Sequence, residues 1–452
     1  MNDLSNVEDE GLLLDSFGQQ ILPIYTQICL CFQIADARSY PRVIETLEIA
    51  LEKLQTQFPW LAGRVVNVGA TASSTGIFKI RHKGKIPRLV VKDLRHDSLV
   101  PSMEALRLAG FPINSFDEDV VAPRRTQIRA DDASSPEVLL VQATLINGGL
   151  LLTFLGQHQA IDGIGQDHII RLFSKACRNE DCTDEERSVG NLSSSNTIPL
   201  LDASCELPPN VNDYQIVNDQ SSYGQNPPPC TWAYFSFSKA SLETLKSNAL
   251  QTSPASFIST DDALSAFIWK SVTLVRLSRL SATTPSTFTR AVDVRRMLAI
   301  SHMHPGFVQN MTYNTFTFQE LAEMPLGVLA AHLRSKVDPE TSTLAHDTRA
   351  LATLLARSED KSCVSFAASL KSTSDIFFSS WAKMRAYEYD FGAELGRAEA
   401  VRRTKSHVTE GLMYLMPKSP EGEVGLVACL SDEDMELLSK NDEFSKFAKY
   451  VG

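Results

Sequence analysis

Two apolar runs, 138–146 and 150–155, are separated only by Asn147-Gly148-Gly149, and a helix-like stretch starts at Gly163. An Asn-Gly pair between such runs marks a hairpin, because the turn needs positive φ. The pattern commits this part of the chain to a buried hairpin running straight into a helix. After Leu155 the apolar run stops, and Gly156-Gln157-His158 brings a histidine to the end of the second strand. Asp162 follows four residues later and Gly163 opens the helix. A histidine held there by a rigid element can face a crevice, which suits a general base. The same residues equally describe a packed histidine at a strand end, with Asp162 as an ordinary helix N-cap.

The surrounding chain interleaves strands and helices. Residues 21–34 are rich in β formers, and Pro41 opens a helix with Val43, Leu47, Ala50, Leu51 and Leu54 at helical spacing. A turn at 58–63 leads to another strand, and the helix from Gly163 to Cys177 carries Ile169, Leu172, Phe173 and Ala176 on one face. Residues 179–230 are charged, serine-rich and proline-rich, which predicts a long crossover. Beyond it come a strand at 232–237, a helix from about Ser238, and Ser259-Thr260-Asp261-Asp262 as a strong helix start. A strand at 288–296, a loop at 302–306, a strand-like run at 376–384, a sharp turn at 387–392 and a late hairpin (412–416 with 424–430) follow, before a helix capped by Ser431. The class is α/β. The expected organisation is an N-terminal domain over 1–178, a linker over 179–230 and a C-terminal domain over 231–452.

A chain of 452 residues is too long for one ordinary core, consistent with two domains. A net charge of −11 argues against nucleic acid or an anionic membrane as the main partner, but leaves room for a small anionic ligand on a local basic patch. The apolar runs fall well short of the roughly 20 residues that span a bilayer. The acidic first ten residues lack the basic region of a signal peptide, and the eight cysteines are scattered without a Cys-x-x-Cys pair. They read as reduced thiols of a cytoplasmic protein.

Several matches fail on context. Asp390-Phe391-Gly392 is the kinase metal-binding tripeptide, but no kinase catalytic loop or glycine-rich loop precedes it. Gly163-Ile164-Gly165 follows a strand, yet His168 stands where a dinucleotide fingerprint needs its third glycine. There is no Gly-x-Ser-x-Gly elbow and no His-Glu-x-x-His zinc motif. His158, Asp162 and His168 lack a defined ligand pattern, so no metal site is assigned.

What remains is Gln157-His158-x-x-x-Asp162-Gly163 in the first half and Asp390-Phe391-Gly392 near the C-terminus, with the turn 58–64, the helix 259–270 and the strand 292–295 between them in order. Together these resemble the BAHD-type, CoA-dependent acyltransferases. Tyr25-Thr26-Gln27, the segment 174–179, the segment 309–313 and Val401-Arg402-Arg403 are most similar to the fungal trichothecene 3-O-acetyltransferases. The resemblance implies two α/β domains of the chloramphenicol acetyltransferase type, with mixed sheets and an active-site channel between them. It further implies an acetyl transfer from acetyl-CoA, as co-substrate rather than bound cofactor, to the 3-hydroxyl of a trichothecene-like sesquiterpenoid. His158 would be the general base and no acyl-enzyme would form. Asp162 would pair with Arg295 of the second domain, supported by Gly163, while Asp390 and Gly392 would shape the site from a loop. Ser259, Arg296, Arg402 and Arg403 are candidates for the CoA side by position or charge. The chain is expected to act as a monomer. One departure stands out: the family has glycine at position 394, and this chain has Glu394. A glutamate there either relaxes the loop into another shape or strains it, and its negative charge weakens CoA binding unless the side chain points into solvent. Two alternatives remain, an amide-forming condensation-type enzyme and a catalytically impaired binding homologue.

Overall fold

The computed structural model describes residues 11–82, 88–128, 135–192, 197–202, 204, 213–217 and 228–452. Its first half is built on a five-stranded sheet in which Gly149–Gln157 lies in the middle. All nine residues of that strand are buried, which is why it reads as an unbroken apolar run rather than an alternating one. It pairs antiparallel with Leu139–Ile146 on one side and Tyr25–Gln33 on the other, Gln157 lying opposite Tyr25. The expected hairpin is there, but only Gly148 takes positive φ, at 76°. The strand also runs two residues past Leu155, so His158 stands just beyond its end.

The helices Tyr40–Gln57 and Gly163–Cys177 pack against each other and share the apolar core of this sheet. Gln166 ties the second helix down: its amide donates to the carbonyls of Thr26 and Phe154 at 3.1 and 2.9 Å. That contact reaches across Gly156, where a Cβ would meet the Gln166 side chain at 3.1 Å.

The second half is built on a seven-stranded mixed sheet, ordered 309–317, 285–293, 376–380, 412–415, 424–431, 230–237 and 448–450. Ile376–Ser380 runs parallel to both its neighbours, and the other pairings are antiparallel. The strand expected over 376–384 stops at Ser380, because the chain then turns, the Met384 N–H closing back on the Trp381 carbonyl at 2.8 Å. The strand expected to 296 likewise ends at Asp293. Helix Thr260–Arg276 begins with a reciprocal capping box between Ser259 and Asp262, as the sequence predicts.

Two features depart from the expected division. Ala400–Arg402 leaves the second half and joins the first sheet, antiparallel to Tyr25–Gln33. The core of the first half accordingly includes Trp381, Tyr387, Tyr389, Phe391 and Val401. Within the expected linker, Asp184–Gly190 is a helix with a capping box between Thr183 and Glu186. The serine-rich run 193–196 and Pro208-Pro209 lie outside the described residues. A cavity of about 1030 Å³ lies between the halves, walled by His158 and Gly163 from one and by Ser259, Arg290 and Trp381 from the other.

Candidate active site

The turn that carries His158 is fixed by backbone bonds. The His158 N–H donates to Ile24 at 2.9 Å, and the N–H groups of Ala160 and Ile161 both close on the Gln157 carbonyl at 3.0 Å. The imidazole Nδ1 lies 3.1 Å from the Ile161 carbonyl oxygen. A carbonyl can only accept, so the neutral ring carries its proton on Nδ1 and keeps its lone pair on Nε2. Burial pushes the His158 pKa below the ordinary histidine value, against the opposing pull of the Asp162 carboxylate. The ring is therefore a neutral acceptor at neutral pH, in the wall of the cavity.

Asp162 also borders the cavity, but its carboxylate is fully engaged by protein partners. Its Oδ1 accepts from the Gly165 N–H at 2.8 Å, capping the helix, and from Arg295 Nη2 at 2.9 Å. Its Oδ2 accepts from the Val308 N–H at 2.8 Å and lies 2.9 Å from Arg295 Nη1. Both side chains are 1% exposed. Arg295 spends its remaining N–H groups on the carbonyls of His304 and Gly306 and on Asp293. A charge buried this deeply persists only when fully paired, and here every charged oxygen and nitrogen has a partner. The pair bolts the helix after the base to the loop 302–308 of the second half. Among the described residues no group of three His, Cys, Asp or Glu side chains is arranged to hold a metal, and burial pushes His168 down to about 3.

Comparisons with known proteins decide the family. The Transferase family matches residues 111–445, and the trichothecene 3-O-acetyltransferase-like N-terminal domain matches residues 24–177. The chain belongs to the Transferase family, the BAHD-type acyltransferases. A family relative, the trichothecene 3-O-acetyltransferase TRI101 of Fusarium sporotrichioides, is 48% identical, with 97% of each chain covered. Another, the O-acetyltransferase dmxR13 of Cryptosporiopsis sp., is 47% identical over 97% of each chain. The crystal structure of F. graminearum TRI101 complexed with coenzyme A and T-2 mycotoxin superposes with a TM-score of 0.93 at 42% identity, covering 98% of this chain and 100% of that one. The fold is thus the two-domain BAHD fold, with mixed sheets.

The remaining residues of this Transferase-family chain divide by whether they reach the cavity. Ser259, Arg296 and Arg403 line it. Arg296 is exposed, with no ion pair of its guanidinium among the described residues. Arg403 is buried: it donates to Ser406 and the Thr404 carbonyl and stacks on Trp232 and Tyr414. Arg402 corrects the expectation drawn from charge alone. It is 6% exposed, off the cavity wall, and its guanidinium is consumed by the carbonyls of Gly110, Phe111 and Val401. Asp390 is also off the wall. Its carboxylate accepts from the Gly392 N–H at 2.8 Å, so it shapes the loop and does not act as a catalytic group in contact with the cavity. Gly392 has φ of 92°, which demands glycine, while Phe391 packs on Phe32 at 4.9 Å. Gly163 lets the helix start approach the wall, where a Cβ would meet Met384 Cε at 2.9 Å.

Glu394 does not carry the backbone strain expected of it. Its backbone is not in the positive-φ region; the loop places that conformation on Gly392 and Gly396. Its carboxylate pairs with Arg42 at 2.8 Å, off the cavity wall. Lys383 and Arg334, which the sequence did not single out, do line the cavity. Lys383 follows the strand that ends early at Ser380, and Arg334 is on a helix, Leu326–Ser335, that carries no motif.

Proposed function

We propose that this chain is a CoA-dependent O-acetyltransferase that moves the acetyl group of acetyl-CoA to the 3-hydroxyl of a trichothecene-like sesquiterpenoid. The carrying observation is His158: a neutral imidazole, locked in one tautomer, in the wall of a cavity between two domains, with no hydrogen-bond partner on its other nitrogen among the described residues. That cavity, about 1030 Å³, lies at the top of the roughly 300–1,000 Å³ range usual for ligand pockets and has room for the acetyl donor and an alcohol to meet.

In the proposed reaction the acceptor hydroxyl gives its proton to His158 Nε2 as its oxygen attacks the thioester carbonyl. The tetrahedral oxyanion collapses, the carbon–sulfur bond breaks, and the departing thiolate recovers the proton from the imidazolium. General-base assistance of this kind supplies ~10²–10⁴ in rate, and positioning and charge stabilisation supply the rest. Asp162 and Arg295 hold the base in place without touching the substrate. Ser259, Arg296 and Arg403 are proposed for the CoA side, and Lys383 and Arg334 add positive charge to the same cavity. No resident cofactor takes part. Among the described residues no helix is long and apolar enough to cross a membrane, and a cytoplasmic monomer is the proposed working form. The trichothecene specificity is supported by relatives that carry that name at 42 and 48% identity.

The test is incubation of purified protein with acetyl-CoA and two trichothecene alcohols, one with a free 3-hydroxyl and one with that hydroxyl blocked. Mass spectrometry should show one added acetyl group on the first only. Acetylation of both, or of neither, contradicts the assignment.

A further inference from the structure

We propose that Phe307 is a positioning residue for the His158 base, the part through which the Asp162–Arg295 pair acts on catalysis. The inference rests on His158 being the base.

One hydrogen bond does not fix an imidazole plane. The Nδ1 contact with Ile161 anchors a single edge and leaves the ring free to tilt about it. The face is fixed by Phe307, whose ring lies 5.2 Å from the imidazole centroid at an interplanar angle of 72°. Phe307 cannot move aside. It is 2% exposed and wedged between Phe366 at 5.9 Å and Phe17 at 6.3 Å, which also touch each other at 6.1 Å. Edge-to-face contacts of this kind are directional, so they set an angle as well as a distance.

The backbone on both sides of Phe307 is held by the ion pair. The Gly306 carbonyl accepts from Arg295 Nη2 at 2.7 Å, and the Val308 N–H donates to Asp162 Oδ2 at 2.8 Å. His304 braces the same loop. Burial and the nearby Arg295 charge push it down to about 4, so its neutral Nδ1 accepts the Gly306 N–H at 3.1 Å. The close approach is permitted by Gly165, where a Cβ would lie 2.0 Å from the Pro305 carbonyl oxygen. Asp162 and Arg295 are thus one step removed from the base: they clamp a loop, and the loop presses a phenyl ring against the imidazole.

Phe307 is also part of what keeps water from the ring. Burial is the largest cause of the lowered His158 pKa. The charged group that acts on it is Asp162 on its own turn; beyond it, Arg295 pairs with Asp162 and with Asp293 at the end of the strand 285–293, His304 sits in the loop, and Asp15 caps the turn that carries Phe17. The upward pull of Asp162 is the same with or without Phe307, so removing an apolar neighbour acts mainly through hydration.

The test compares Phe307→Leu, which keeps most of the bulk, with Phe307→Ala and with Phe17→Leu, which thins the cluster but leaves the Phe307–His158 contact in place. Phe307→Ala should lower kcat by roughly tenfold to a hundredfold, and Phe307→Leu by less. KM for acetyl-CoA and for the alcohol should stay within about twofold. In both variants the acid limb of kcat/KM should move to higher pH, because water reaching the ring favours the imidazolium. Phe17→Leu should lower the melting temperature with the pH limb unmoved. The inference is overturned if Phe307→Leu and Phe307→Ala fold, bind CoA and leave kcat and the acid limb as they were, or if Phe17→Leu moves that limb as far as they do. Measuring His158→Ala alongside separates the two levels. An active His158→Ala removes the base and this inference with it, whereas an inactive one with an unaltered Phe307→Leu overturns the positioning role alone.

Discussion

At His158, which lines the cavity, one ring nitrogen is occupied by the Ile161 carbonyl, so protonation of the other removes the ring's remaining lone pair. The pH dependence follows in sign. Burial lowers the folded-state pKa, so the base is in its active form down to a pH below the ordinary histidine value of about 6.5. The acid limb of kcat/KM, measured between about pH 4 and 8, should therefore fall below 6.5. A limb at or above that value contradicts the electrostatics of the site. Glu394 carries the opposite kind of prediction. Its surface pair with Arg42 is worth at most about 1 kcal/mol, and it lies off the cavity wall. Glu394→Gly should leave kcat and the KM for acetyl-CoA unchanged at both low and high salt, and a lowered KM at low salt would show that its charge does reach the CoA site. The motif pointed the wrong way here because a glycine pattern identifies a conformation, not a position. The loop obtains its second positive φ two residues later, at Gly396.

Between elements, the central contact is the buried pair that joins the helix Gly163–Cys177 to the loop after Pro285–Asp293. Removing Asp162 or Arg295 alone strands a buried charge and should cost about 3–5 kcal/mol. The double variant should cost clearly less than the sum, and a strictly additive cycle in thermal or denaturant unfolding would contradict the pairing. A second contact on the same helix is Asp167, which accepts from the Tyr389 hydroxyl at 2.7 Å and the Arg385 N–H at 3.2 Å. Burial raises its pKa to about 6. A carboxyl raised in the folded state loses stability as pH climbs from its unfolded value, about 3.9, to the folded one. Asp167→Asn should therefore gain stability relative to wild type across pH 4 to 6, by on the order of 1–3 kcal/mol; a constant difference across that window refutes the shift. Signals confined to a few residues were legible at this scale. Ser238, Ser259 and Ser431 cap helices as read, and Thr183-x-x-Glu186 was equally readable but was hidden by the polar composition around it. The pairing of Ala400–Arg402 with Tyr25–Gln33 was not, because no local pattern names a partner that far along the chain.

For the molecule as a whole, two α/β units joined by a crossover follow from the order of apolar runs and from a length that exceeds one core, while a channel between them is implied only by the family resemblance. The His158 and Asp162 positions were legible because they end a strand and begin a helix. The cavity wall was not, because it gathers side chains from segments as distant as Tyr25, Arg334 and His407. Charge misled in the same way: Arg402 and Arg403 look alike in sequence, yet one faces the cavity and the other is buried under backbone carbonyls. The central claim is that His158 abstracts the acceptor proton for direct transfer in that shared cavity. Its most direct test is product formation by wild type and His158→Ala, with acetyl-CoA and a trichothecene alcohol, at matched folding and matched CoA affinity. His158→Ala should lose acetylation by at least about 10²-fold while its melting temperature and CoA binding stay near wild type. Near wild-type turnover by His158→Ala would contradict it.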